Sequence, residues 1–481
     1  MILTRITHLL FFTLIVLNLN AQKVECTIGV PYKYSGKTFH TKYLTKTENS
    51  IVLLRQNYKN NVFYIDYYDF EMKLKGSREI NYSQNELKIL DISFAKDEFI
   101  ILSTHYNKQS NVFLLFGSTG TFEDIQHAKP QKLGEFPSNK LKDIKIQTRY
   151  SEDKTQLMIT CTYPTVERLA KLNYYVFDLN LNQQDFAEVE LPLKIADFEL
   201  VQSGISNQGD LHFVTRKKIE RTYKFEFISF FRNDGSMSEK ELTFEKNIPK
   251  YVRLLVTDKK VNVIAVLSDI NQRILTSTYF LNLDCIERTY SNATYEDLTQ
   301  ALSKSTEGRS YSYYLHTVLQ SDGTIFLTLE YMNVRDYTSY DSFGTPHTTY
   351  YYDYNDLVII ALDEQGSKKW GYVIPKNQTS INDRGYGLGS GFLALNGQLL
   401  ITFNTNIKNT SQAEQYRMNN VRKSILVGYL FDKDGQISRQ VLANSKQAGL
   451  IFEPKINFNS GNSIILPGNK GNLTSFAQIK F

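Results

Sequence analysis

The chain has 481 residues, with 55 Lys and Arg against 50 Asp and Glu, and no run of five or more like charges. It lacks the concentrated positive field that a phosphate backbone requires, which argues against nucleic acid as a partner. The three cysteines, Cys26, Cys161 and Cys285, allow at most one bridge and exclude a disulfide framework, so stability must come from buried apolar surface.

The first residues are predicted to direct export. Arg5 precedes an apolar run from Leu9 to Leu17, which is too short to span a bilayer and is typical of a signal peptide. We predict cleavage after Ala21, leaving residues 22–481 as a single domain. Cys26 is not preceded by a small residue, which argues against a lipoprotein, and no later apolar run is long enough for a transmembrane segment. The predicted location is periplasmic, cell-surface or extracellular.

The rest of the chain is organised by a recurrence of turns and strands. Apolar strands of about six residues directly follow polar turns eight times. These segments are "TENSIVLLRQ", "AKDEFIILST", "DKTQLMITCT", "NQGDLHFVTR", "DKKVNVIAVL", "SDGTIFLTLE", "LNGQLLITFN" and "NSGNSIILPG". Most are followed by two further strands joined by an Asp, Asn or Gly turn, as in "VIIALDEQGSKKWGYVI", and these residue types accept the backbone of tight strand reversals.

This pattern predicts an all-β fold, a β-propeller of eight four-stranded blades, or seven if one unit is divided wrongly. The last unit ends after "LTSFAQIKF", one strand short, and "QKVECTIGVPYK" near the N-terminus is available to pair there and close the ring. Two β-sandwiches in series are the alternative. The repeated order of turn types and the lack of a Pro/Gly/Ser linker favour the propeller.

Long connections are expected on one face of the ring, between or within blades five to seven. They are residues 291–310, the tyrosine-rich stretch 335–356, residues 376–389 and residues 407–424. Loops of this length in a compact domain are usually functional or disordered. Tyrosine and arginine are enriched at binding hot spots, so these segments form our candidate recognition surface.

The candidate ligand-binding residues all lie in these four segments. They are Arg309, Arg335, Tyr337, Tyr340, His347, Tyr350, Tyr352, Arg384, Tyr386, Tyr416 and Arg417. The alternative for "TTYYYDYND" is a long extension of the third strand of blade six, with tyrosines alternating between two packing faces.

Sequence motifs for catalysis are absent. No H-E-x-x-H motif, P-loop or dinucleotide fingerprint occurs, so neither a metal site nor a cofactor is predicted. "GLGSGF", residues 387–392, does not have the spacing of a nucleophile elbow and is interpreted as a tight strand entry toward the channel. A carboxylate pair could still assemble in the channel from distant blades, and we name no catalytic residue.

The segment "LVIIALDEQGSKKWGYVIP", residues 357–375, resembles blade motifs of quinoprotein-like and WD40-like propellers, including secreted bacterial repeat proteins. That resemblance implies the fold and an exported setting. Tryptophan recurs from blade to blade in quinoprotein dehydrogenases, whereas this chain has only Trp370, so a quinone site is not implied. "DEQGSKKW" is also similar to the Asp-box of sialidase-like propellers, but its Gly falls one place late and sialidase chemistry is not carried over.

These predictions are consistent with three functions. The first is an exported scaffold that binds a protein or a glycan through the long segments of blades five to seven. The alternative is a glycan- or peptide-active hydrolase with acidic residues at the channel mouth. A structural component of an envelope assembly would share the surface of the first.

Overall fold

The protein is built from eight antiparallel sheets that follow one another along the chain. We describe a computed structural model, over residues 24–33, 38–57, 62–80, 87–95, 98–122, 129–137, 144–220, 222–245, 247–272, 274–299, 302, 313–410 and 416–481. The predicted signal peptide and Arg309 lie outside these ranges.

The first four blades follow two short strands near the N-terminus. These are β1 (Glu25–Ile28) and β2 (Tyr32–Lys33). Blade one contains β3 (Thr38–Lys46), β4 (Ile51–Asn57), β5 (Val62–Tyr68) and β6 (Leu74–Ile80). Blade two contains β7 (Lys88–Ala95), β8 (Glu98–Asn107), β9 (Val112–Gly120) and β10 (Gln131–Pro137). Blade three contains β11 (Lys145–Tyr150), β12 (Gln156–Pro164), β13 (Leu169–Asp178) and β14 (Gln183–Lys194), and blade four contains β15 (Phe198–Ile205), β16 (Leu211–Ile219), β17 (Thr222–Phe231) and β18 (Ser236–Leu242).

The remaining blades keep the same order, with a divided outer strand in blade five. Blade five contains β19 (Ile248–Val256), β20 (Lys260–Ser268), β21 (Leu275–Asp284), β22 (Thr289–Tyr290) and β23 (Thr294–Asp297). Blade six contains β24 (Tyr313–Ser321), β25 (Thr324–Tyr340), β26 (Pro346–Leu362) and β27 (Lys368–Ile381). Blade seven contains β28 (Ser390–Leu395), β29 (Gln398–Asn406), β30 (Ser424–Phe431) and β31 (Ile437–Asn444), and blade eight contains β32 (Ile451–Phe452), β33 (Phe458–Ser460), β34 (Ser463–Lys470) and β35 (Leu473–Lys480).

Helical segments are short, and include the 3-10 turns Ile195–Asp197 and Val421–Lys423 and one α-helical turn, Ser445–Ala448. Within the described ranges, no helix is long and apolar enough to cross a membrane.

The second and third strands of the blades are covered on both faces by neighbouring blades. Strand β20, for example, is buried at nearly every position, whereas the outer strand β6 alternates between exposed and partly buried residues. This explains why the sequence shows continuous apolar runs at the second strand of each unit. Each pair of adjacent blades shares one hydrophobic cluster, and one of them joins blade eight to blade one through Ile51, Phe458 and Phe476. The molecule is therefore an eight-bladed β-propeller.

The ring is closed by pairing of the two chain ends, as predicted. Strand β1 pairs with β35 from Glu25 opposite Lys480 to Ile28 opposite Ala477, which supplies the missing outer strand of blade eight. The Gln440 side chain of blade seven donates to the Val24 carbonyl at 2.9 Å and accepts from the Val24 amide at 3.3 Å. The closing strand is thus held by blade seven as well as by blade eight.

Substitution of Gly29 by alanine is expected to destabilise the closure by about 1–3 kcal/mol, because overpacking forces backbone shifts. An added Cβ would lie 2.5 Å from the Met72 carbonyl oxygen of blade one. Gly76→Ala is the matched control, because no atom lies within 4 Å of the Cβ it would add. Urea denaturation should give a clear loss for the first variant and a change within about 0.5 kcal/mol for the second. Equal effects would contradict this account of the closure.

Candidate functional site

The tyrosine-rich stretch forms a long hairpin rather than an irregular loop. Strands β25 and β26 have 17 residues each, and their pairing continues without interruption from Met332 opposite Tyr354 to Tyr340 opposite Pro346. We call residues 332–354 the blade-six arm. The strand extension considered as the alternative in the sequence analysis is the observed conformation.

The two faces of the arm carry different side chains, because directly opposite residues of an antiparallel pair share a face. On one face, Arg335, Tyr337 and Ser339 lie opposite Tyr351, Thr349 and His347. On the other face, Val334, Asp336 and Tyr340 lie opposite Tyr352, Tyr350 and Pro346. Tyr337 is 65% exposed and Tyr340 is 71% exposed, so both faces present aromatic surface to solvent.

The tip of the arm is a tight turn organised by Asp341. Its Oδ1 accepts the amide N–H groups of Phe343 and Thr345, both at 2.9 Å, and its Oδ2 lies 3.2 Å from His347 Nε2. The Thr345 amide and the His347 ring lower the pKa of Asp341. Gly344 has a φ of +75°, which the turn requires. Phe343, which is not among the predicted binding residues, is 91% exposed at this tip.

The base of the arm is held by two arginines that share one buried carboxylate. Arg335 Nη2 lies 2.7 Å from Asp353 Oδ2, and Arg417 Nη2 of blade seven lies 3.1 Å from Asp353 Oδ1. The Thr379 hydroxyl donates to Asp353 Oδ1 at 2.6 Å. Two guanidinium groups against one carboxylate leave an excess positive charge at this position. Both arginines are among the predicted binding residues, whereas Asp353 is not.

A segment of blade seven lies against the arm's base. The Thr379 amide donates to the Met418 carbonyl and the Met418 amide donates to the Asn377 carbonyl, both at 2.9 Å. The Asn409 side chain bonds both the amide and the carbonyl of Tyr416, whose ring is about half exposed. Tyr416 and Arg417 therefore lie beside the blade-six arm.

The two other candidates lie toward blade eight. The Tyr386 hydroxyl donates to the Asn469 carbonyl at 2.9 Å, and burial raises its pKa. The Arg384 side chain is exposed, and its carbonyl accepts from Lys455 at 3.2 Å. The structure thus brings Tyr416 and Arg417 to the base of the arm, whereas Tyr386 is bonded to blade eight.

A buried polar cluster lies where blades six and seven meet. Lys376 Nζ donates to Glu330 Oε1 and, at 3.1 Å, to the hydroxyl of Ser390, the serine of "GLGSGF". The Ser390 hydroxyl donates to Glu330 Oε1 at 2.9 Å. The other carboxylate oxygen of Glu330, Oε2, lies 3.6 Å from His316 Nε2. Burial, and then the charge of Lys376, lower the pKa of His316. Because Lys376 is ion-paired and Ser390 is fully buried, this cluster has the properties of a structural anchor.

The three cysteines form no disulfide bond. Cys26, Cys161 and Cys285 are free thiols, and burial raises the pKa of each. Across the described ranges, no three His, Cys, Asp or Glu side chains are grouped closely enough to hold a metal ion.

No family model and no curated protein matches this chain. Among solved structures it is similar to the β-propeller domain of the Trilobed protease from Pyrococcus furiosus, at 12% identity and a TM-score of 0.40, over 86% of this chain and 98% of that one. It is similar to the polysaccharide lyase Uly1 at 10% identity and a TM-score of 0.37, over 94% and 99% of the two chains. A third similarity, to prolyl oligopeptidase B from Galerina marginata, has 9% identity and a TM-score of 0.42 over 90% of this chain and 55% of that one. These similarities are too low to bear on what this chain binds or catalyses.

Proposed function

We propose that this chain is an exported propeller that binds a protein partner through the blade-six arm and the adjoining blade-seven segment. The supporting observation is a braced hairpin with Tyr337, Tyr340 and Phe343 largely exposed. Exposed aromatic residues grouped on one element are typical of interaction sites, because they bury a large area when a partner binds.

The rigidity of the arm also favours binding. The Tyr350 amide donates to the Asn382 side chain at 2.8 Å, and Asp353 is fixed by Arg335 and Arg417. A surface ordered in advance loses less conformational entropy when it binds. The export component of the proposal rests on the apolar run from Leu9 to Leu17.

The test compares intact protein with the variant Tyr337→Ala/Tyr340→Ala/Phe343→Ala. We expect the variant to recover at least about tenfold less partner from an envelope extract of the source cells, since hot-spot truncations each cost about 2 kcal/mol or more. A control with three exposed apolar residues on other blades replaced, Val166→Ser/Ile270→Ser/Ile286→Ser, should recover the same amount as the intact protein.

Equal recovery by the arm variant would overturn the proposal. A parallel glycan array distinguishes the ligand class, because arm-dependent binding to a glycan, without any arm-dependent protein, would replace the protein partner by a carbohydrate.

A hydrolase with acidic residues at the channel mouth is the second candidate, and Glu453 is the observation that favours it. This carboxyl of blade eight is almost fully buried, and burial raises its pKa, as a general acid requires. Its Oε1 accepts from the Asn469 side chain at 2.7 Å. If the chain is a hydrolase of this kind, it should cleave members of a glycan or peptide library and Glu453→Gln should abolish the cleavage. Lack of cleavage by the unaltered protein would remove this candidate.

A further inference from the structure

The central channel contains a cavity of about 490 Å³ between the innermost strands of blades one, two and three. Its lining residues are Lys42, Leu90, Asp91, Ile146, Gln147, Thr148, Arg149 and Tyr150. This volume lies in the range of sites that hold small organic molecules. A second cavity of about 120 Å³ shares Lys42 and Tyr150 with it, farther along the same strands.

The charges in this cavity do not balance. Lys42 Nζ lies 2.7 Å from Asp91 Oδ1, so this lysine and this aspartate neutralise each other. Arg149 has no carboxylate within ion-pair distance among the residues that the structure describes. The cavity therefore carries the uncompensated positive charge of one half-buried guanidinium group.

The position of this guanidinium group is fixed by neutral acceptors. Its Nε donates to the Ser203 carbonyl at 3.0 Å, one Nη donates to the Thr148 carbonyl at 2.8 Å, and the other contacts Gln202 Oε1 at 3.4 Å. A guanidinium group has five N–H donors, so two remain, one on each Nη. Two such donors can engage two oxygens of a single carboxylate or phosphate group.

A second arginine strengthens the positive field. Arg253, on the innermost strand of blade five, donates to the carbonyl of the preceding residue, Val252, at 2.9 Å, and it too has no ion-pair partner among the described residues. Burial, and then the charge of Arg253, lower the pKa of Arg149. Two like charges held near each other without a counter-ion are stabilised when an anion binds between or beside them.

We propose that the central channel binds a small molecule through an oxyanion group, a carboxylate or a phosphate, held by Arg149 within the field of Arg253. The neutral walls of the cavity, Leu90 and Ile146, and the side-chain amide of Gln147 would contact the rest of the molecule. This site is separate from the blade-six arm and does not depend on the proposed function of the arm.

The experiment is isothermal titration of the full chain with glucuronate, which supplies a carboxylate, and with inorganic phosphate, in chloride buffers of matched ionic strength. Glucose is the neutral probe and should not bind. We expect saturable binding of at least one anion at millimolar concentrations or below, weakened about tenfold or more by Arg149→Gln, because hydrogen bonds to charged groups are the strong ones. Arg168→Gln, in an exposed turn of blade three, removes the same charge outside the channel and should bind like the unaltered protein.

Arg253→Gln provides an independent variant, because Arg149 also supports the inner strand of blade four. It should weaken anion binding about threefold or more through the loss of a nearby charge. If Arg149→Gln does not fold, the titration of Arg253→Gln tests the anion-binding proposal. The proposal would be overturned if the unaltered protein bound neither anion, or if it bound glucose equally well. It would also be overturned if folded Arg149→Gln and Arg253→Gln bound the anion as tightly as the unaltered protein. Binding of phosphate without glucuronate would identify the oxyanion as a phosphate, and the reverse would identify a carboxylate.

Discussion

Replacement of Lys376 by methionine is expected to lower the free energy of unfolding by about 3–5 kcal/mol, because it leaves the buried carboxylate of Glu330 without its counter-charge. Both side chains are almost fully buried, and the pair joins the second and fourth strands of blade six. Ser390 of blade seven bonds to both members, so the loss also weakens the contact between these two blades. Urea denaturation followed by tryptophan fluorescence measures the change, since Trp370 packs between the same two blades.

Lys260→Met is the matched control. Lys260 forms an ion pair with Glu364 of the next blade at 3.1 Å, but both of these side chains are about half exposed. Exposed pairs contribute about 0–1 kcal/mol, so this variant should change stability little. The double variant Lys376→Met/Glu330→Gln should recover part of the loss, because it removes the buried charge itself. If Lys376→Met costs no more than Lys260→Met, the assignment of this cluster as an anchor is wrong.

The loss of stability caused by Lys376→Met is also expected to depend on pH, because His316 lies beside Glu330. Burial lowers the pKa of His316, the charge of Glu330 raises it, and the charge of Lys376 lowers it further. Without Lys376, His316 should protonate more readily and take over part of the pairing with Glu330. The penalty of Lys376→Met should therefore be smaller at pH 6 than at pH 8.

The blade count and the ring closure could be predicted because both depend on short sequence patterns of turns and strands. Turn residues mark each unit, and the closing strand was identifiable because the last unit is one strand short.

The single tryptophan is explained only by the structure. Trp370 stacks on Phe431 of blade seven with ring centroids 5.4 Å apart, and Gly435 of a blade-seven turn is close enough that a Cβ there would lie 2.8 Å from its ring. At the preceding interface, Phe280 approaches Gly366 in the same way, so other aromatic residues replace tryptophan.

The conformation of the arm was harder to predict, because an insertion and a strand extension have the same length in sequence. The signal that distinguishes them is the turn at the tip. Asp341 accepts amides two and four residues ahead, with a glycine of positive φ at the third place, and Asp363 and Asp432 do the same in ordinary hairpin turns of blades six and seven. An Asp-x-x-Gly sequence inside a presumed loop therefore indicates a hairpin.

The contacts that define the candidate sites could not be predicted from the sequence. Asp353 pairs with Arg417 across 64 positions, and the charge of Arg253 in blade five acts on Arg149 in blade three. Such pairs depend on the placement of whole blades, which turn patterns do not encode. The arginines of the arm could be named in advance because their segment was long and aromatic. Those of the channel lie in ordinary strands and carry no local signal.

Acid is expected to destabilise the protein through His212, by about 3 kcal/mol at pH 4 relative to neutral pH. This side chain in β16 is fully buried, and burial lowers its pKa from 6.5 to about 3. Its Nδ1 lies 2.9 Å from the Ser229 hydroxyl, while its Nε2 has no hydrogen-bond partner among the described residues. The folded state therefore holds the neutral ring, whereas the unfolded chain binds a proton below pH 6.5. The contribution of His212 is fully present above pH 6.5 and is lost as the pH falls toward 3.

His212→Asn isolates this effect. Asparagine can keep a hydrogen bond to Ser229 but does not titrate, so the variant is expected to be less stable at neutral pH and to lose less stability on acidification. The unfolding free energy of the unaltered protein should fall more steeply than that of the variant between pH 6 and pH 4, by about 1.4 kcal/mol per pH unit. Titrations of other groups are common to both proteins and cancel in this comparison. Parallel curves would mean that the ring of His212 is hydrated or paired when charged, and that the aromatic packing of blade four around Phe227 and Phe231 does not exclude the proton.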